Sequence, residues 1–221
     1  VKVSPKRLTK RLHKYEVPVD FVKGWDTDRV DPYNGSSNFK GILLHHTAGT
    51  NSLNYICFGT RYAPVRACHF LVGRDGTVFV VAKGAYHAGT GGPYTFKRPS
   101  GRTTTVAKNK GNQGLWGIEI ESLGRSARID GTAGGMTTDQ VVSTAMLCVA
   151  LMDASRAGFA SWPVNRVIRH KDWAPKRKID TKQSLAWWQQ AVQVAYDNRK
   201  DPSLAKRRVQ DWVKENSKGR L

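Results

Sequence analysis

The chain has 221 residues and a formal net charge of +19, with 36 Lys or Arg against 17 Asp or Glu. That length holds one sizeable core, or a core with appendages, and a 39% hydrophobic content with seven Trp argues for a folded globular protein. The charge calls for an anionic partner (nucleic acid, acidic lipid or an anionic wall polymer) without choosing among them, while no apolar run approaches the roughly 18–20 residues of a membrane span.

Segment 1–14, "VKVSPKRLTKRLHK", has no acidic residue and no apolar stretch behind it. It is expected to be a basic arm, ordered only where it docks, and not a secretory signal. "KGILLHH" reads as a short buried strand whose alternation puts Leu43, His45 and Thr47 on one face and Ile42, Leu44 and His46 on the other. "TNSLNYICFGTRY" fits a short helix. In "ACHFLVGRDGTVFVVA" two apolar strands flank an Asp-Gly turn, a hairpin signal. Residues 89–111, rich in Gly, Thr and Lys/Arg, read as a long surface loop.

"LWGIEIES" is a further strand, with Glu119 and Glu121 on one face and Ile118 and Ile120 on the other. "TTDQVVSTAMLCVALMDASRAG" has helix-start residues, an apolar stripe and Gly158 as a stop. "VNRVIRH" is a strand ending at His170. Thr181 is placed to cap the helix "KQSLAWWQQAVQVAYDN", and a basic amphipathic stretch, "SLAKRRVQDWVKEN", follows Pro202. Cys57, Cys68 and Cys148 are odd in number and form no C-x-x-C pair, so reduced thiols are expected. Strands mixed with helices predict a single α/β domain with a central mixed β-sheet flanked by helices. It spans 15–198, between the basic arm 1–14 and a basic helical tail 199–221.

Polar residues stand at or near the ends of several apolar strands: His45 or His46, Glu119 and His170. Asp172, Lys178 and Asp180 follow on a loop stiffened by Pro175. Two histidines and a carboxylate are a common ligand set for catalytic zinc, which keeps its fourth position open for water. Spacing leaves Asp172 and Asp180 both open as the third ligand. It also leaves His45 and His46 both open.

"ILLHHTAG", "HFLVGRDGTV", "YHAG", "WGIEIE" and "RHKDWAPKRKID" fall in the order of the motifs of zinc-dependent N-acetylmuramoyl-L-alanine amidases. Over about residues 38–195 the chain resembles the type 2 amidases, which share their fold with peptidoglycan recognition proteins and include many bacteriophage endolysins. The resemblance implies one zinc ion held by His45, His170 and Asp180. It implies Glu119 as the residue activating the attacking water and Lys178 as the stabiliser of the oxyanion. Tyr86, His87 and Thr47 are then expected to contact substrate, with bracing of the loop as the alternative for His87. Asp172 becomes an organiser of its loop, Glu121 a supporting or surface acid, and His46 a hydrogen-bonded brace. Where some relatives carry a catalytic tyrosine just before "HF", this chain has Cys68.

The implied activity is hydrolysis of the amide between the lactyl group of N-acetylmuramic acid and L-alanine. It would serve a phage endolysin made in the host cytoplasm as a monomer and acting on peptidoglycan, with the arm 1–14 and tail 199–221 adsorbing to anionic wall polymers; the alternative for the tail is a solvated helix packed on the domain by Trp212. The alternative is a non-catalytic peptidoglycan-binding module of the same fold. A nucleic-acid binder is suggested by charge alone, and no nucleic-acid-binding motif accompanies it.

Overall fold

The computed structural model describes residues 3–27, 39–61, 64–97, 100–124, 126, 128–155 and 164–217. In chain order the elements are α1 (Pro5–Lys14), β1 (Val19–Phe21), β2 (Gly41–His46), α2 (Leu53–Phe58), β3 (Phe70–Val72), β4 (Val78–Val80), β5 (Tyr94–Lys97) and β6 (Thr103–Val106). They continue with α3 (Gly111–Gly114), β7 (Leu115–Ile120), α4 (Thr138–Ala154), β8 (Val167–Arg169), α5 (His170–Trp173), α6 (Leu185–Asp197) and α7 (Pro202–Ser217).

Six strands form a mixed sheet in the order β1-β4-β3-β7-β2-β8. Only the β3–β4 pair is antiparallel, because the Asp-Gly turn joins those strands directly; there the Asp75 carboxylate accepts from the Thr77 amide and Gly76 takes φ +85°. The other neighbours pair in parallel. Alternation along the strands sends Ile42, Leu44, Phe70, Val72, Ile118, Ile120 and Val167 to one face, where they form the main core with α1, α4, α6 and α7.

Helix α4 is the centre of that core. The Thr137 hydroxyl accepts from the Gln140 amide and the Gln140 side chain accepts from the Thr137 amide, a capping box that starts the helix. Apolar residues then occupy nearly all its sides, as befits a helix covered all round. The stretch Thr132–Ala154 matches a membrane span by length and composition, correcting the reading that no such run exists. With 83% of its apolar window buried inside the protein, this stretch contains the core helix α4.

The basic arm docks, the condition set for its order, and the tail is a helix packed on the domain through Trp212. α1 buries Leu8 and Leu12 in the main core, and Tyr15, Lys14 and Arg11 all reach the Asp153 carboxylate on α4. α7 buries Ala205, Val209 and Val213, sets Trp212 against Trp187 and pairs Lys206 with Glu16. Both segments are therefore structural parts of the helical layer, and the core runs across the divisions drawn at 14/15 and 198/199.

On the opposite sheet face two smaller clusters form. Leu43, Leu115 and Ile168 pack with Phe96, Val106 and Trp173, and Leu71 and Cys68 pack with Ile56, Cys57 and Val81. The three cysteines are buried and free. Segment 89–111 is not a plain loop. β5 and β6 pair as an antiparallel ribbon whose strands bury little besides Phe96 and Val106, so their apolar periodicity is faint.

Two boundaries also shift. Ser184, not Thr181, caps α6 by accepting from the Trp187 amide, while the Thr181 hydroxyl accepts from the Trp188 indole at 2.7 Å. His170 opens α5 rather than closing β8. The stop expected at Gly158 lies outside the described residues; α4 ends at Ala154, with Ser155 at its C-cap.

Candidate metal centre

Strand pairing brings the site together. β2 and β7 run side by side with His45 directly opposite Glu119, so the two side chains leave the same face between the two smaller clusters. β8 flanks β2 on its other side and delivers His170 as the first residue of α5. The Arg169 amide and guanidinium both donate to the Asp172 carboxylate, at 2.9 and 2.7–2.9 Å. A further guanidinium nitrogen of Arg169 donates to the Gln183 carbonyl. The Lys171 amide donates to the Asp180 carbonyl at 2.9 Å. This clasp folds the loop back so that Asp180 meets His170.

Three donor atoms converge. His45 Nδ1 lies 2.8 Å from His170 Nδ1, His170 Nδ1 lies 3.2 Å from Asp180 Oδ2, and His45 Nδ1 lies 3.9 Å from Asp180 Oδ2. All three residues are buried. Ligands about 2.0–2.2 Å from a tetrahedral ion stand roughly 3.3–3.6 Å apart, so this triangle closes around zinc with shifts of about half an ångström. Glu119 Oε1 is 3.8 Å from His45 Nδ1, while Glu119 Oε2 is buried without a hydrogen-bond partner. A buried acceptor left unpaired beside a nitrogen–oxygen donor set fits a site built around a cation or its water. The residues present therefore suit the implied metal.

Burial sets the protonation states. It holds His45 well below the usual imidazole range, reinforced by repulsion from His170 and His87. It likewise lowers His170 against the opposing pull of Asp180. Both rings are thus neutral, the form that ligates. Burial would raise Asp180, but its hydrogen bond to His170 outweighs it and the carboxyl sits low. Glu119 is pushed up to about 8 by burial and then by Asp180, with Lys178 opposing. A carboxyl so poised can take up and release a proton near neutral pH.

The remaining candidates take distinct places. His45, Glu119, His170, Lys178 and Asp180 line one cleft of about 440 Å³, together with Thr47, Tyr86 and His87. The Thr47 hydroxyl is engaged in its own turn, donating to the Gly49 carbonyl at 2.8 Å. Tyr86 is 40% exposed at the rim. His87 is buried against the strands and bonds both the Leu115 carbonyl and His45. Burial lowers it to about 3. Glu121 turns away and accepts from the Ser52 amide at 2.6 Å, anchoring the start of α2. Asp172 is confined to its clasp with Arg169. Cys68 is fully buried, and burial with the nearby Glu119 keeps its thiol protonated. His46 borders the same cleft, but its ring lies against Gly124, where any Cβ would collide with it. Among the described residues no hydrogen bond reaches that ring, and packing holds it.

Tyr55 escaped the sequence reading. α2 turns its phenol into the cleft, with the hydroxyl donating to the Thr47 carbonyl at 3.4 Å. Burial and the nearby Glu119 raise its ionisation above the ordinary value, so it stays a proton donor. No spacing marks it in the sequence. Only the contrast with Ile56 and Cys57, which face the core, hints that Tyr55 faces out.

The sequence family described as Amidase_2, N-acetylmuramoyl-L-alanine amidase, matches residues 35–183. No curated protein matches the chain. Among solved structures, the chain is similar to the amidase LysC from Clostridium intestinale URNW at 17% identity and a TM-score of 0.49, over 79% of this chain and 97% of that one. It is similar to the endolysin amidase LysCS from the same organism at 20% identity and a TM-score of 0.43, over 70% and 82%. The Ph2119 endolysin from Thermus scotoductus MAT2119 bacteriophage Ph2119 gives 16% identity and a TM-score of 0.44, over 77% and 97%.

Proposed function

The chain belongs to the N-acetylmuramoyl-L-alanine amidase family, and from that premise we propose that it is a zinc-dependent peptidoglycan hydrolase. The bond cut is the amide joining the lactyl group of N-acetylmuramic acid to L-alanine of the stem peptide. The observation that carries this reading is the convergence of His45, His170 and Asp180 beside an unpaired buried Glu119 oxygen. Those three residues would hold the ion, which when bound supplies Lewis acidity toward water and the scissile carbonyl.

The chain's own groups do the rest. Glu119 takes a proton from the attacking water as its oxygen bonds to the carbonyl carbon. Lys178 and the Tyr55 phenol offer positive charge and a donor to the oxygen on which negative charge develops, an effect worth about 3–4 kcal/mol for a well-placed donor. As the carbon–nitrogen bond breaks, protonated Glu119 returns its proton to the departing alanine amine. A filled donor triad favours this over a binding module that holds peptidoglycan uncut. Digestion of defined peptidoglycan tests it: free N-terminal alanine should appear, and a chelator should stop its release. New reducing sugar ends without alanine would place the cut in the glycan instead.

We assign the activity to lysis of a bacterial host by a phage endolysin, reaching the wall through a membrane lesion. The expected sign is clearing of a suspension of permeabilised bacteria, abolished by chelation; unchanged turbidity would remove the lytic role. The charge supports adsorption to anionic wall polymers. Lys6 and Lys10 on α1 and Arg207 and Arg208 on α7 are exposed on the helical layer, on the sheet face opposite the cleft. Because both helices build the core, the test is charge reversal at these four sites, which leaves the buried residues in place. Wall binding at low salt should fall while zinc content holds, and added salt should weaken wild-type binding. Undiminished binding by the reversed variant would refute the role of this face.

A further inference from the structure

We propose that His87 is a positioning residue that fixes the ring tautomer of His45, so that His45 presents an unprotonated Nδ1 toward the metal. This rests on the metal-site reading above and adds to it a residue outside the ligand set.

A chain of hydrogen bonds starts at one backbone carbonyl. His87 Nε2 lies 3.0 Å from the Leu115 carbonyl oxygen, which can only accept, so Nε2 carries the hydrogen. A neutral ring protonated there has a lone pair on Nδ1. That Nδ1 lies 3.3 Å from His45 Nε2, so His45 must donate, and its single hydrogen is on Nε2. His45 Nδ1 is then left with a lone pair, and this is the atom that faces His170 Nδ1 at 2.8 Å and Asp180 Oδ2 at 3.9 Å. The first residue of β7 thus sets the tautomer of a ligand on β2 through one intervening ring.

His87 is built to hold that place. Its own amide and that of Ala88 both donate to the Asn112 side-chain oxygen, at 2.9 and 2.6 Å. Its ring lies on Gly117, where a Cβ would overlap the imidazole. His69 closes another side edge-on at 5.0 Å, and is itself fixed by the Gly117 amide donating to its Nδ1. Without the acceptor on His87, a His45 ring protonated at Nδ1 could donate toward Asp180, and that proton would have to leave before zinc could bind. Partners that orient a ligand in this way typically govern affinity by ten- to a hundred-fold.

Nitrogen-15 NMR of the metal-free wild-type protein, labelled at histidine, reads the tautomer directly. His45 should appear protonated at Nε2, and protonation at Nδ1 overturns the proposal. Zinc affinity measured by competition with a chromophoric chelator gives the second readout. His87→Leu should weaken binding ten- to a hundred-fold with an unchanged far-UV circular dichroism spectrum. His87→Gln, whose amide can donate to Leu115 and accept from His45, should recover most of the loss. Wild-type affinity in His87→Leu, alongside its loss in His45→Ala, overturns the role of His87 and leaves the metal site standing. Undiminished affinity in His45→Ala instead removes the metal-site reading itself. Should His87→Leu fail to fold, the wild-type NMR measurement still decides.

Discussion

Replacing His45 with alanine is expected to abolish stoichiometric zinc binding and drop amidase activity to background, whereas His46→Ala keeps both. The two residues are neighbours on one strand, so the contrast isolates direction rather than location. His45 leaves the face that also carries Glu119 and meets His170 and Asp180. Its loss leaves two donors where a catalytic zinc site takes three. His46 leaves the opposite face and packs on Gly124. Its removal empties a half-buried position and should cost about 1 kcal/mol of stability, read from a urea midpoint. Metal analysis of the two purified variants decides the matter. Equal zinc loss in both would mean that the strand itself, and not the side chain of His45, holds the site.

The direction of His45 was legible because alternation along a strand is strict: residues two apart share a face. The hairpin was legible because Asp-Gly supplies the turn it needs, and α4 because its apolar run is long and capped. Alternation could not say which face held the site, and only the family motif separated His45 from His46. The pairing of His45 with Glu119 was beyond reach, since it depends on the register of two parallel strands whose connection passes through β3 and β4. Tyr55 was hidden for the same reason, as its cleft partners come from distant elements. The docking of α1 and α7 was masked by charge. Leu8 and Leu12, like Val209 and Val213, stand four apart on one helical face. Their basic neighbours can lay alkyl stems on the surface while the charged ends stay in water, so the mean composition reads as solvated. Two or three buried apolar residues per helix suffice here because α4 offers an apolar surface on every side.

Glu119→Gln should lower turnover by about 10²–10⁴-fold, the usual worth of a placed general base, while zinc binding persists. A variant that kept full activity would remove Glu119 from the chemistry. The same substitution makes a second, independent mark on stability in the metal-free protein. Burial and Asp180 push the Glu119 carboxyl up to about 8, against 4.5 when unperturbed. Between those values the folded chain keeps a proton that the unfolded chain has released. Wild-type stability therefore falls through this residue as pH rises from about 4.5 to about 8 and levels off above, by an amount on the order of several kcal/mol. Glutamine does not ionise and carries no such loss. His45, His87 and His170 titrate in both proteins, so the difference between variant and wild type isolates position 119. Chemical denaturation at pH 5 and pH 8 should show the variant gaining on wild type at the higher pH. Parallel stabilities at the two values would mean that Glu119 sits in no unusual environment. Added zinc should narrow the gap, because a cation beside the carboxylate favours its ionised form. The residue thus destabilises the empty site under the conditions in which it would work, and its replacement trades that cost for lost catalysis.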